Sequence, residues 1–310
     1  MIYTCTFNPS VDYQMHAAHI QLGELNRINQ TAFYPGGKGI NVSRVLKELG
    51  DSSVALGFAG GFTGEFITQS LEKKGIQTAF IRHEEPTRVN IKIKTDEKET
   101  EMNGPGAPIK EEEMETLLEN LEDLKSGDYF ILSGSRPPSI PFEFYEKIAS
   151  AMQEKEAHLV LDIPEKRTAE LLRYQPFLIK PNEKELAAIT GRQIDNKQDA
   201  VRAAKKLVKQ GARNVIVSLG KEGAIAVNKE HILQAIPPSG TLISSVGAGD
   251  SLVAGFIKQF QESQSITRAF QYGVAAGTAT AYSANLCKKK EVEAILPKVT
   301  IQTWEGERQS

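Results

Sequence analysis

The feature that most constrains the fold is a repeated order in which short apolar runs alternate with amphipathic segments. The apolar runs are YFIL (129–132), HLVLD (158–162), FLIK (177–180) and NVIVS (214–218). Apolar residues recur at helical spacing in the segments 111–125, 142–155, 183–190 and 197–210. Strands that are apolar throughout and are separated by helices are typical of a parallel sheet buried on both faces. The sequence therefore predicts an α/β protein with a mainly parallel central sheet.

A polar residue stands at the end of each apolar run. These residues are Ser133, Asp162, Lys180 and Ser218. Open α/β sheets bind ligands beyond the carboxyl ends of their strands, so the four side chains predict one shared cleft. Polar residues also end strands for purely structural reasons, and each position taken alone has both interpretations.

Two stretches depart from this order. Residues 11–34 and 87–102 alternate apolar and polar side chains, most strictly through Val89, Ile91 and Ile93. Such alternation is typical of antiparallel strands with one exposed face. We expect a small sheet that projects as a lid from a single domain spanning 1–310. Its apolar side needs cover from a substrate or a second subunit, and we expect a homodimer formed through the lid.

Composition and charge exclude several classes of partner. The chain has 310 residues and a formal net charge of −2, so no basic field favours nucleic acid or a membrane surface. No apolar run approaches the length of a membrane span, and the N-terminus MIYTCTFNPS does not resemble a signal peptide. The two cysteines, Cys5 and Cys287, lack metal-ligand spacing. We therefore expect a reduced, cytoplasmic protein.

Two glycine-rich turns precede helical patterns. They are PGGKGINVSRVL (35–46) and VGAGDS (246–251). Neither contains the P-loop pattern G-x-x-x-x-G-K-[ST] or the dinucleotide pattern G-x-G-x-x-G. Backbone N–H groups in such a turn, at the positive end of a helix dipole, can still hold an anion.

Asp250 lies directly after the second turn, which is formed by Gly247, Ala248 and Gly249. A carboxylate there could take the proton of an acceptor hydroxyl while the N–H groups stabilise a phosphoryl group, as phosphoryl transfer requires. The structural alternative is an acidic residue in the first turn of a helix, which contributes about 0.3–1 kcal/mol. These six residues alone leave both interpretations open.

Motifs along nearly the whole chain resemble, in order, those of the PfkB (ribokinase-like) carbohydrate kinases. They are NPSVD (8–12), GGKGINVSRVL (36–46), TRVNIK (87–92), SGS (133–135), KPNEKE (180–185), SLGKEGA (218–224) and VGAGDS (246–251). The resemblance implies a ribokinase-like fold, ATP and Mg²⁺ as cofactors, and phosphoryl transfer to a sugar.

Within that family, NPSVD, TRVNIKI and TEMNGPG are most similar to the motifs of 1-phosphofructokinases. The resemblance thus implies a ketohexose monophosphate as substrate and favours conversion of fructose 1-phosphate to fructose 1,6-bisphosphate. Kinases of tagatose 6-phosphate and of fructose 6-phosphate are the alternatives within the family.

The resemblance also implies a role for each motif residue. The sugar would be bound by Asp12, Gly37, Lys38 and Asn41. The substrate and its phosphate would face Arg88 and Asn90. The nucleotide would be bordered by Lys180, Asn182, Ser218, Gly220 and Gly223, and Mg²⁺ would be organised by Glu185. The anion hole would be formed by Gly247, Ala248 and Gly249, with Asp250 as the base.

Three positions depart from the family pattern. SGSRP carries Arg136 where leucine is common, and this arginine is a candidate contact for the substrate phosphate or an exposed residue. LDIP (161–164) replaces the commoner Asp-Ser or Asp-Thr pair, and the segment around Asn285, a candidate nucleotide contact, is shortened.

A silent sugar sensor would be expected to lose GAGD, and a dinucleotide-dependent oxidoreductase would need G-x-G-x-x-G. The sequence favours neither.

Overall fold

The computed structural model describes residues 1–95 and 98–304. Within these residues, ten strands form the main sheet. From one edge to the other they are β14 (Thr300–Thr303), β13 (Ile232–Ile236), β12 (Ala224–Asn228), β11 (Asn214–Ser218), β10 (Leu178–Ile179), β9 (His158–Asp162), β8 (Tyr129–Ser133), β1 (Ile2–Thr6), β4 (Val54–Gly60) and β5 (Gln77–His83). Neighbours from β11 to β5 pair in parallel, and β12, β13 and β14 add an antiparallel edge. The predicted, mainly parallel sheet is confirmed.

The four apolar runs become β8 to β11, which are neighbours in this sheet. Their polar ends therefore come together, and Ser133 lies directly opposite Asp162 in the register of β8 and β9. Lys180 follows β10, whose ladder comprises only Leu178 and Ile179. The shared edge that the strand ends predict is thus formed, and Asp162, Lys180 and Ser218 line the cavity described below. Ser133 is buried and does not line it, so the expectation of a cleft shared by all four side chains is only partly met.

Helices cover both faces of the main sheet. They are α1 (Lys38–Glu48), α2 (Gly61–Glu72), α3 (Glu111–Asn120), α4 (Phe142–Glu154), α5 (Glu183–Thr190), α6 (Lys197–Gln210), α7 (Ala248–Ser263), α8 (Ile266–Ala281) and α9 (Lys289–Ile295). Short 3-10 helices span Lys166–Tyr174, Gly220–Glu222 and Leu296–Lys298. Successive side chains of β8 alternate between the two layers of core: Phe130 packs in the layer of α3 to α6, and Ile131 in the layer of α1, α7 and α8.

The predicted helices at 142–155, 183–190 and 197–210 are confirmed by α4, α5 and α6. The pattern at 111–125 is only partly helical, because α3 ends at Asn120. The N–H groups of Leu121 and Leu124 bond three residues back, to Leu118 and Leu121. This tighter turn keeps both leucines buried without continuing the helix.

The lid is a separate sheet, and its strands in spatial order are β3 (Gln30–Gly36), β2 (Ser10–His16), β6 (Val89–Lys94) and β7 (Glu99–Asn103). The outer pairs are antiparallel, as predicted, but β2 and β6 pair in parallel. These two central strands follow β1 and β5, which are themselves parallel strands of the main sheet, and both leave the body in the same direction. Residues 96 and 97 of the predicted lid segment lie outside the described residues.

The two faces of the lid differ in polarity. Asp12 lies opposite Asn90, which lies opposite Asn103, so one face is polar. Tyr13 stacks on Phe33 on the other face, with ring centroids 4.4 Å apart. Phe33 is 55% exposed and Met102 is 50% exposed, because α2 covers only part of this face.

Among the helices that the structure describes, none combines the length and apolar character needed to cross a bilayer.

Candidate active site

A cavity of about 850 Å³ lies between the carboxyl ends of the parallel strands and the polar face of the lid. Nearly all the predicted site residues line it. They are Asp12, Gly37, Lys38, Asn41, Arg88, Asn90, Lys180, Asn182, Glu185, Ser218, Gly220, Gly223, Gly247, Ala248, Gly249 and Asp250. Residues more than 200 positions apart in the sequence thus meet in one space, as when Asn41 bonds to Asp250.

Two predicted residues do not line this cavity, Arg136 and Asn285. The guanidinium of Arg136 donates to the carbonyl of Ile140 and lies 3.4 Å from the carboxylate of Glu165. Asn285 is exposed in the turn that follows α8. The placement of these two side chains gives no support to a ligand contact for either.

The start of α7 brings the glycine turn and Asp250 together. Gly247 has a φ of 78°, a left-handed conformation that favours glycine. A Cβ atom at this position would also collide with the side chain of Leu286. The first N–H groups of a helix have no partner within the helix and lie at the positive end of its dipole. The turn therefore offers an anion site next to Asp250.

Asp250 is a buried carboxylate, with only 5% of its surface exposed. Its Oδ2 accepts a hydrogen bond of 2.9 Å from Nδ2 of Asn41. Burial, and then the negative charge of Asp162, raise the pKa of Asp250 to about 6, although Lys38 and the bond from Asn41 act in the opposite direction. Asp250 is thus a stronger base than an ordinary aspartate and is still largely ionised at pH 7.

A fully buried carboxylate, Asp162, holds two lysines beside this site. Its Oδ1 lies 3.0 Å from Nζ of Lys38 and 3.3 Å from Nζ of Lys180. Burial would raise the pKa of Asp162, but the charges of Lys180 and Lys38 outweigh it and hold that pKa below its usual value. The strand-end pattern singled out Asp162, whereas the motif roles missed it, because its partners come from separate elements.

The lid contributes a second polar cluster around Asp12. Its Oδ1 accepts bonds from Oγ of Ser10 at 2.7 Å and from Nδ2 of Asn90 at 3.2 Å, and its Oδ2 lies 3.1 Å from Nζ of Lys92. The Oδ1 atom of Asn90 is buried and has no hydrogen-bond partner within the described chain. An unsatisfied buried acceptor suits a hydroxyl-bearing ligand. Lys92 is not among the site residues predicted from the sequence.

Arg88 stands where the lid joins the body. Its guanidinium donates to the backbone carbonyls of Asn8, Pro9 and Gly104 at 2.9, 3.3 and 3.0 Å. A guanidinium has five N–H donors, so two remain for a ligand. Burial lowers the pKa of Arg88, and the charge of Asp12 acts against that effect.

The opposite end of the cavity has apolar walls that the motif roles did not identify. They come from the loop after β13, from α8 and from the residue that follows α8, and include Pro237, Leu242, Val274, Ala281 and Tyr282. Tyr282 is fixed by the hydrogen bond of 2.7 Å that its hydroxyl donates to the carbonyl of Pro238. Apolar walls in the same cavity as Ser218 and Gly220 fit a nucleotide base, and no local sequence pattern marks such residues.

Glu185 is oriented by a reciprocal cap at the start of α5. Its backbone N–H donates to Oδ1 of Asn182, and its Oε2 accepts from the N–H of Asn182, both at 2.9 Å. In the described ranges, no three His, Cys, Asp or Glu residues are grouped so as to hold a metal. Mg²⁺ usually takes one or two carboxylates together with water and substrate phosphates. Glu185 lines the same cavity as the glycine turn at the start of α7, and this arrangement fits that mode of binding.

The comparisons with known proteins agree with this geometry. Residues 6–291 match the pfkB family of carbohydrate kinases. The chain is 45% identical to a 1-phosphofructokinase of Bacillus subtilis over 97% of this chain and 99% of that protein. It is 33% identical to a D-tagatose-1-phosphate kinase of Bacillus licheniformis, over 97% and 99%.

Among solved structures, phosphofructokinase-2 of Escherichia coli in complex with substrates and products has a TM-score of 0.91 and 32% identity, over 96% of this chain and 98% of that one. The same E. coli enzyme has a tetrameric inhibited form. The family resemblance and the ribokinase-like fold expected from the sequence are confirmed, and this chain belongs to the pfkB family of carbohydrate kinases.

Proposed function

We propose that this protein transfers the γ-phosphoryl group of ATP to fructose 1-phosphate and releases fructose 1,6-bisphosphate and ADP. The observation that carries the proposal is the position of Asp250. It is a buried carboxylate of raised pKa, it lies at the anion site of α7, and it shares one cavity with the polar face of the lid. The name of the Bacillus subtilis relative supports fructose 1-phosphate as the acceptor.

In the proposed reaction Asp250 takes the proton of the acceptor hydroxyl. The freed oxygen attacks the γ-phosphorus, the bond from that phosphorus to the bridging oxygen breaks, and ADP leaves with the bond electrons. The N–H groups at the start of α7 stabilise the charge on the transferred group. Lys38, predicted to bind the sugar, has its ammonium 3.0 Å from Asp162 and 3.8 Å from Glu185. This placement supports a role toward the phosphates together with Lys180.

Mg²⁺ would be held through Glu185 and would neutralise and orient the phosphates of ATP. The carboxylate of Glu185 supports this role because only its Oε2 is used in the helix cap. The Oε1 atom lies 3.8 Å from Nζ of Lys38, beyond hydrogen-bond distance, and is available to a ligand or to water.

Arg88 is proposed to bind the phosphate that the substrate already carries. On the lid side of the cavity, Lys92 is paired with Asp12, whereas Arg88 has no carboxylate within 4.0 Å in the described part of the chain. Its two remaining N–H donors match the oxygens of a phosphate group. This leaves the far end of the sugar free to reach Asp250.

The substrate is tested by ADP release in a coupled assay. The acceptors are fructose 1-phosphate, tagatose 1-phosphate, fructose 6-phosphate, tagatose 6-phosphate and fructose. We expect the highest kcat/KM with fructose 1-phosphate, with tagatose 1-phosphate as the second candidate because a relative carries that name. A preference for either 6-phosphate would refute the assignment of the substrate, and no ADP release with any acceptor would refute the activity.

We also propose a homodimer in which the apolar faces of two lids cover each other. The exposure of Phe33 and Met102 supports it, because large apolar side chains grouped on one sheet face are typical of an interface.

A further inference from the structure

Lys92 is a buried lysine in the cavity that none of the motif roles includes. It lies on β6 between Ile91 and Ile93, on the polar face of the lid, and only 6% of its surface is exposed. Burial of an ammonium group is costly unless the charge is paired and hydrogen-bonded. The ammonium group of Lys92 therefore requires a partner of opposite charge within hydrogen-bond distance.

The partner of Lys92 is Asp12, the carboxylate expected to bind the sugar. Nζ of Lys92 lies 3.1 Å from Oδ2 of Asp12, while the nearest oxygen of Glu101 is 4.0 Å away. The other oxygen of Asp12 accepts from Ser10 and Asn90. Lys92 is thus the charged member of the group that holds Asp12.

The backbone of Gly36 closes a further side of Asp12. A Cβ atom at Gly36 would lie 2.5 Å from Cγ of Asp12, so the carboxylate packs directly against a position that only glycine leaves open. The side chain of Asp12 retains 13% exposure, and it lines the cavity. With its neighbours in place, Asp12 can present its remaining lone pairs only toward a ligand in that cavity.

We propose that Lys92 is a specificity-determining residue that acts through Asp12, by fixing its carboxylate so that it distinguishes ketohexose phosphates differing in the orientation of one hydroxyl. The inference rests on the proposed kinase function. A rigid acceptor discriminates strongly because the wrong epimer leaves a buried polar group unpaired, whereas a mobile acceptor can follow either hydroxyl. Fructose 1-phosphate and tagatose 1-phosphate are such a pair, since they are epimers at one carbon.

The test compares Lys92→Met with wild type on these two substrates. We expect the KM for fructose 1-phosphate to rise about tenfold, and the kcat/KM ratio between the two epimers to fall about tenfold toward one. The KM for ATP should stay within twofold, because the nucleotide end of the cavity is untouched. Lys94→Met is the matched control: Lys94 lies two residues along the same strand face but does not line the cavity, and its substitution should change neither value.

A double-mutant cycle with Asp12→Asn separates action through Asp12 from direct contact with the ligand. If Lys92 acts through Asp12, Lys92→Met should change the affinity for fructose 1-phosphate less than about twofold in the Asp12→Asn background. Calorimetric binding of fructose 1-phosphate gives this value where turnover is too slow. Effects that multiply in the double variant would overturn the inference, because Lys92 would then contact the ligand itself.

Failure of this inference is distinct from failure of the proposed function. If wild type phosphorylates fructose 1-phosphate and Lys92→Met retains both the KM and the epimer ratio, the inference alone is wrong. If wild type phosphorylates no ketohexose phosphate, the proposed function is wrong, and the inference falls with it. Should Lys92→Met fail to fold, Lys92→Gln keeps a hydrogen-bond donor without the charge and enters the same cycle.

Discussion

Asp250→Asn should stabilise this protein while it disables catalysis. The pKa of Asp250 is raised from 3.8 to about 6, first by burial and then by the charge of Asp162. An acidic group whose pKa is raised in the folded state stabilises the fold at pH values below its ordinary pKa. That contribution to the free energy of unfolding is lost as the pH rises through about 6. At pH 8 the ionised Asp250 therefore destabilises the folded chain.

The size of this effect follows from the shift itself. A tenfold change in an equilibrium constant corresponds to about 1.4 kcal/mol, so the rise from 3.8 to about 6 corresponds to roughly 3 kcal/mol. Asn keeps the size of the side chain and can still accept the bond from Asn41, but it carries no charge. We expect Asp250→Asn to raise Tm by several degrees at pH 8 and by less at pH 5.

The same substitution removes the proposed base, so kcat should fall by about 10²- to 10⁴-fold. Calorimetric unfolding at pH 5 and pH 8 and the coupled ADP-release assay measure both effects on one preparation. Asp123→Asn, at an exposed position, is the control and should change neither Tm nor kcat. A lower Tm for Asp250→Asn at pH 8 would contradict the electrostatic reasoning, and near-normal turnover would contradict the role as base.

Three other substitutions test the remaining proposals. Arg88→Ala should raise KM for the phosphosugar by roughly 10²-fold, about 2–3 kcal/mol for a charge-assisted bond, and barely change KM for ATP; an equal rise in both would remove Arg88 from the phosphate site. Glu185→Gln can still form the helix cap and should leave Tm intact while kcat and the response to Mg²⁺ fall; an unchanged Mg²⁺ titration would exclude Glu185. Phe33→Asp should convert a dimer to a monomer in light scattering at micromolar concentration, and a wild-type monomer of full activity would refute the interface.

The sequence predicted most of what depends on local patterns. The helices α4 to α6, the strands β8 to β11 and the start of α7 at Ala248 all follow from spacing and glycine placement within short windows. The parallel pairing of β2 and β6 was missed, because alternation defines a strand face but says nothing about the direction of its neighbour. Pairing direction depends instead on how the connecting segments leave the main sheet.

The site divides in the same way. Motif residues such as Asp250 and Lys180 line the cavity as expected, whereas Lys92 and Asp162 gain their significance from ion pairs. Lys92 meets Asp12 from another strand, and Lys38 reaches Asp162 across 124 positions of sequence. Such pairs exist only after the fold forms. Arg136 shows the opposite case: its position next to a motif suggested a ligand contact, but its guanidinium bonds to Ile140 and Glu165 and does not line the cavity.

The lid topology has a consequence for how the sequence can change over time. Its two central strands continue from β1 and β5, which β4 separates in the main sheet, and they pair with each other from Val11 and Val89 onward. Arg88 ties the starts of both strands, the roots of the lid, together through Asn8, Pro9 and Gly104. The tip of the first hairpin, 17–29, lies at the other end of β2 and β3 from these roots and does not line the cavity. Insertions and deletions should therefore accumulate at this tip, where they leave the register of Asp12 and Asn90 unchanged. A single-residue length change at a root would instead turn the polar face of the lid away from the cavity.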